Sequence, residues 1–89
     1  MDIEKLKLES KKLEPVVIIG KNGLTEETVE HIKQVLKKHR LIKIKLLRSF
    51  VSEKADEGMN KKAIGLEIAQ RCNVILVDVV GLTVSLSRK

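Results

Sequence analysis

Eighty-nine residues supply one hydrophobic core and not two, since either half would bury too little apolar surface to offset the entropy of ordering its chain. The 43% apolar content, mostly Leu, Ile and Val, is that of a folded chain, and a lone Cys72 excludes an internal disulfide or a cysteine metal cluster. Eighteen Lys and Arg against twelve Asp and Glu leave a net charge of +6, which favours polyanionic partners.

Ile3, Leu6 and Leu13 mark one side of a first helix among Lys and Glu, with Leu8 off the stripe. The helix ends before Pro15, because proline disfavours helical backbone in the residue preceding it. Val16 to Ile19 is an unbroken β-branched run stopping at Gly20, the pattern of a short strand buried on both faces. After Gly20-Lys21-Asn22-Gly23, Thr25 caps a second helix whose first turn carries Glu26 and Glu27, suited to the positive end of its dipole. Its buried stripe is Val29, Ile32, Val35 and Leu36, while Lys33, Lys37 and Lys38 fall near its end.

Leu41 to Leu47 reads as a second strand, its central residues alternating polar and apolar. Residues 49 to 58 read as a loop with a helical turn, Ser52 offering a cap and Gly58 an interruption. From the cap Asn60 a third helix runs to about Cys72, with Ala63, Leu66 and Ala69 inward, Ile64 and Ile68 at the edges, and Asn73 closing it in left-handed backbone. Val74 to Val80, a tight turn at Gly81, and Leu82 to Ser87 form a final hairpin. The predicted class is α/β, in the order helix-strand-helix-strand-helix-strand-strand, with a four-stranded mixed sheet and one domain over residues 1–89.

The loop at residues 20 to 23 is the best candidate for chemistry. Two glycines let backbone approach a ligand at the start of a helix, and Lys21 and Asn22 add a charge and an amide donor, which together suit a phosphate. The same spacing also describes a plain turn. It lacks the Gly-Lys-Ser/Thr ending of a triphosphate loop and is not a dinucleotide fingerprint, so no nucleotide cofactor is expected. His31 and His39 stand eight residues apart, without the spacing of a common zinc motif, and no metal is expected. The first ten residues hold no apolar leader and no stretch approaches membrane-spanning length, which leads to the expectation of a cytoplasmic protein. With one Phe and no Tyr or Trp, the chain cannot build a large base-stacking platform. RNA binding would then rest on phosphates, ribose hydroxyls and shape, favouring structured RNA.

PVVIIGKNGLT at 15 to 25, HRLIKIKL at 39 to 46 and VVGLTVSLSR at 79 to 88 together resemble the CRM domain, the chloroplast RNA splicing and ribosome maturation module, in its stand-alone YhbY-like form. The resemblance implies a two-layer α/β domain similar in fold to the C-terminal domain of translation initiation factor 3. It also implies backbone binding by Gly20, Lys21, Asn22 and Gly23, with Lys33, Lys37 and Arg88 as adjacent basic contacts. Stand-alone members of that family are associated with the precursor of the large ribosomal subunit, so the partners implied are ribosomal RNA or its precursor and the assembling large subunit. Three positions depart from the family's usual pattern: Arg40 where Glu is frequent, Leu82 where a basic residue is common, and Ser87 where Tyr often precedes the last Arg.

The leading expectation is therefore a monomeric RNA-binding assembly factor without enzymatic activity. An Alba-like architectural protein is the alternative among binding proteins, although the strands around Gly81 leave no charged arm between them. An enzyme using the glycine loop as a phosphate cradle is the alternative from another class, and no base or metal set completes it locally.

Overall fold

In the computed structural model, which describes residues 2–89, a four-stranded sheet is built from β1 (Pro15–Ile19), β2 (Leu41–Leu46), β3 (Ile75–Val80) and β4 (Thr83–Ser87). Four helices accompany it among the described residues: α1 (Ile3–Ser10), α2 (Glu26–Lys38), α3 (Arg48–Asp56) and α4 (Lys61–Cys72). The strand order is β1-β2-β4-β3, with β1 parallel to β2 and β4 antiparallel to both its neighbours. The expected α/β class and mixed four-stranded sheet are thus observed.

Alternation places Ile42, Ile44 and Leu46 of β2, Val17 and Ile19 of β1, and Val84 and Leu86 of β4 on one face, all buried. Val29, Ile32 and Leu36 of α2, Phe50 of α3, and Ile64, Ile68, Ala69 and Cys72 of α4 close over them as one core. The caps of α2 and α4 form as expected: Thr25 Oγ1 accepts from the Thr28 N–H at 3.2 Å and Asn60 Oδ1 from the Ala63 N–H at 2.8 Å. Asn73 ends α4 with φ 56°, in the left-handed region.

The second face is covered only in part. α1 meets β2 and β3, burying Leu6 and Ser10 over Val77, Ser85 and Ser87. A bulge between Leu76 and Asp78 assists this, because it keeps Leu76 and Val79 packed on the main core while Val77 is buried under α1.

Four expectations need correction. Residues 49 to 58 are not a loop but largely the helix α3, which has no side-chain cap and is held by buried Phe50 and by Lys54, whose Nζ lies 3.5 Å from Glu67 and 5.9 Å from the Phe50 ring centre. Val16 and Ile18 are 54% and 61% exposed, so β1 is buried on one face only; it is an edge strand, and α1 packs chiefly on β2 and β3. α4 is rotated, with Ile64, Gly65, Ile68, Ala69 and Cys72 buried and Leu66 exposed, because Gly65 admits Leu76 and Val79 of the sheet. α1 stops at Ser10, leaving Leu13 outside it.

Candidate nucleic-acid interface

The Gly20 carbonyl accepts the Gly23 N–H at 2.9 Å, closing a four-residue turn with Lys21 and Asn22 exposed at its tip. Gly23 has φ 70°, a backbone that an L side chain adopts only under strain. Among the described residues, no protein group accepts the N–H of Lys21 or Asn22. The turn is seated on the start of α3. Leu47 donates its N–H to the Ile19 carbonyl at 2.9 Å, a Cβ on Gly20 would lie 2.8 Å from Leu47 Cδ1, and one on Gly23 would lie 3.6 Å from the Phe50 ring. Arg48, the next residue after Leu47, is exposed at the same end of the sheet.

The helix that follows is not itself an anion site. Its N-terminus is capped by Thr25, and Glu26 and Glu27 already compensate the dipole and would repel a phosphate. The anion-binding potential belongs to the turn, through its open N–H groups and Lys21. Arg71 of α4 fixes the exit from the turn, donating from Nη1 to the Leu24 carbonyl at 2.6 Å and from Nη2 to Glu26 Oε1 at 3.2 Å. Nothing in the sequence ties Arg71 to a carbonyl 47 positions away.

The hairpin at Gly81, where φ is 57°, reaches the same end of the sheet, since the Leu46 N–H donates to the Leu82 carbonyl at 2.7 Å. A shallow groove lined by Arg48, Val51, Ser52, Lys61 and Leu82 brings two further cations there. Arg48 opens α3 and Lys61 opens α4; reading residues 49 to 58 as a loop hid the helix between them, and with it the groove that both line.

The remaining candidates are dispersed. β1 and β2 are parallel neighbours, so α2, which joins them, runs from the glycine turn back to the opposite end of the sheet. Lys37 and Lys38 in its last turn are exposed there. Arg88 lies at that opposite end too, its N–H donating to the Arg40 carbonyl at 3.0 Å beyond the Leu41–Ser87 pair. The two ends are separated by the length of β2, about 17 Å at roughly 3.3 Å per residue. Lys33 lies midway along α2, half-buried, with Nζ 3.9 Å from Glu30. Ser87 is fully buried, its hydroxyl donating to the Arg88 carbonyl at 3.1 Å, so that position offers no external contact.

Comparison with known proteins fits this architecture. The CRS1 / YhbY (CRM) domain matches residues 2–88. The chain belongs to this family. A Methanocaldococcus jannaschii protein named Probable RNA-binding protein MJ0652 is 31% identical over 83 residues, 93% of the CRM chain, which in turn spans 58% of that relative's length. The solution structure of the hypothetical protein SAV1595 from Staphylococcus aureus superposes with a TM-score of 0.74 over 98% of this chain and 83% of that one. At 22% identity that likeness concerns the fold alone, and it is the CRM fold that the glycine turn, the edge strand β1 and the hairpin of the present chain decorate. Among the described residues no helix is long and apolar enough to cross a membrane, and no group of three His, Cys, Asp or Glu could hold a metal ion.

Proposed function

We propose that this CRM protein binds the backbone of structured RNA, without covalent chemistry, and that its main contact is the Gly20–Gly23 turn with Lys21, Asn22 and Arg48. One observation carries the reading: the turn projects a lysine, an amide and unpartnered N–H groups while its own shape is held by Gly23 and its seat on Leu47 and Phe50. Membership of the CRM family and the name of the archaeal relative support RNA as the ligand.

The manner of binding follows from a single ring. Phe50 is the chain's one aromatic residue and is 2% exposed, so no base can stack on it. Contacts fall on phosphates and ribose hydroxyls, which is the mode that reads RNA shape. Extending the family resemblance, we take the RNA to be ribosomal precursor RNA and the setting to be assembly of the large subunit in the cytoplasm, with the protein acting as a monomer.

Filter binding of a perfectly paired RNA hairpin over a salt series tests the turn. Replacing Lys21 with Ala should leave folding intact and weaken different RNAs about equally, lowering the salt slope by roughly one unit. Lys38→Ala, at the other end of α2, is the same-charge comparison. A folded Lys21→Ala protein that binds as the unmodified chain does, while Lys38→Ala does not, would remove the turn from this role.

A further inference from the structure

The usual distribution of residues over a sheet is inverted on the outer face of β1 and β2. Lysines normally guard edge strands and apolar residues fill interior ones. Here the edge strand β1 presents Val16 and Ile18 outward, and the interior strand β2 presents Lys43 and Lys45, because Ile42, Ile44 and Leu46 face the core. Lys45 stands between Ile18 and Thr83, and Lys43 between Pro15 and Ser85, so neither has an acidic cross-strand neighbour. Among the described residues neither forms an ion pair. The sequence around β2 is equally one-sided: from His31 to Ser52 there is no Asp or Glu, while Lys33, Lys37, Lys38, Arg40, Lys43, Lys45 and Arg48 all fall within that stretch, and the acidic Glu27 of α2 lies with Val16 and Ile18 of β1, the strand beyond the lysines.

From this arrangement we infer that the outer face of β1, with Lys43 and Lys45 where β2 emerges beside α1, is a second part of the RNA interface, a basic track leading along β2 toward the end that carries Lys21 and Arg48. The inference rests on the RNA reading above and extends that surface from the glycine turn along β2 as far as α1. Residues two apart on a strand stand about 6.6 Å from each other on the same face, so Lys43 and Lys45 can meet successive phosphates of one strand. Val16 and Ile18 beside them form a low apolar shelf, which suits the wide, shallow minor groove of an RNA duplex better than a deep groove. A second copy of this chain is a poor occupant, since each copy carries a net charge of +6 and the lysines would face lysines.

The test uses the full chain, a perfectly paired RNA hairpin as probe, and the double variant Lys43→Gln/Lys45→Gln beside Lys21→Ala. If both lysines contact phosphates, the double variant should lower the salt slope by about two units and the affinity by roughly eightfold per lysine at about 0.1 M salt, by the rule for duplex phosphates. Amine-reactive footprinting of the unmodified protein should show Lys43 and Lys45 protected by the hairpin, a readout independent of any variant's folding. A double variant with an unchanged melting temperature that binds as tightly as the unmodified chain, while Lys21→Ala binds weakly, overturns the track and leaves the turn standing. If the unmodified chain fails to retain the hairpin even at low salt, the RNA reading itself falls. Should Ile18→Ser alter the oligomeric state and leave hairpin binding untouched, the β1 face is a protein interface and the track is wrong.

Discussion

Arg71 and Leu24 are joined across 47 positions by a 2.6 Å hydrogen bond from guanidinium Nη1 to the backbone carbonyl, so the end of α4 sets where the chain leaves the glycine turn. The accompanying pair with Glu26 is exposed and contributes little by itself, because solvent screens it. Arg71→Ala should therefore destabilise the protein modestly, by about 1 kcal/mol, mainly through the lost bond to the carbonyl. Chemical denaturation gives that figure, and amide exchange should quicken from Gly20 to Thr25 ahead of the rest. A variant whose turn exchanges no faster would show that Arg71 does not hold it.

The two glycines of the turn are required for different reasons. At Gly23 the φ of 70° makes any L residue strained, and Gly23→Ala should cost about 1–2 kcal/mol although the Phe50 ring leaves room at 3.6 Å. At Gly20 the obstacle is the far end of the half-exposed Leu47 side chain, which can swing aside. Gly20→Ala should cost less, and Leu47→Ala should rescue Gly20→Val while doing nothing for Gly23→Ala. Thermal unfolding of the single and double variants distinguishes the two cases.

Gly65 lies within α4, where alanine would ordinarily raise helix stability by roughly 0.5–1 kcal/mol. Here a Cβ would stand 2.9 Å from Val79 Cγ2 and 3.1 Å from Leu76 Cδ1, inside the helix-sheet contact. Overpacking of about 1–3 kcal/mol outweighs the propensity gain. Gly65→Ala should thus lower the melting temperature by several degrees, on the scale of about 4–8 °C per kcal/mol for a domain of this size. A raised melting temperature would mean that α4 can shift outward freely.

Burial pushes the Cys72 thiol above its ordinary value of 9.0, against the opposing pull of Lys33 and Arg71. In the unfolded chain the thiol ionises first, so its contribution to stability is complete below pH 9 and declines as pH rises through the folded value. Urea midpoints measured between neutral and alkaline pH should fall less steeply for Cys72→Ala than for the unmodified protein, after allowing for the small cavity. Parallel slopes would place the thiolate in water rather than in the core.

Much of this molecule is legible from its residues alone. The stripe of Val29, Ile32 and Leu36, the caps Thr25 and Asn60, the left-handed Asn73 and the glycine turns at 23 and 81 all express interactions made within a few positions of the chain. Such local preferences persist whatever packs around them, and so does the absence of a stacking ring, which the sequence determines by composition. Tertiary structure decided the rest. α3 has no side-chain cap and holds its place through Phe50, so its helical state depends on contacts that local reading lacks. Val16 and Ile18 look like core residues until the strand order puts β1 at the edge, and Leu66 does so until Gly65 turns α4. The site followed the same rule. Arg48 shares an end of the sheet with Lys21 because β1 and β2 end together, while Lys37 and Arg88 lie a strand's length away because α2 and β4 run the other way. Strand direction and order are settled by non-local burial, and that is why only the folded chain shows which cations share an end.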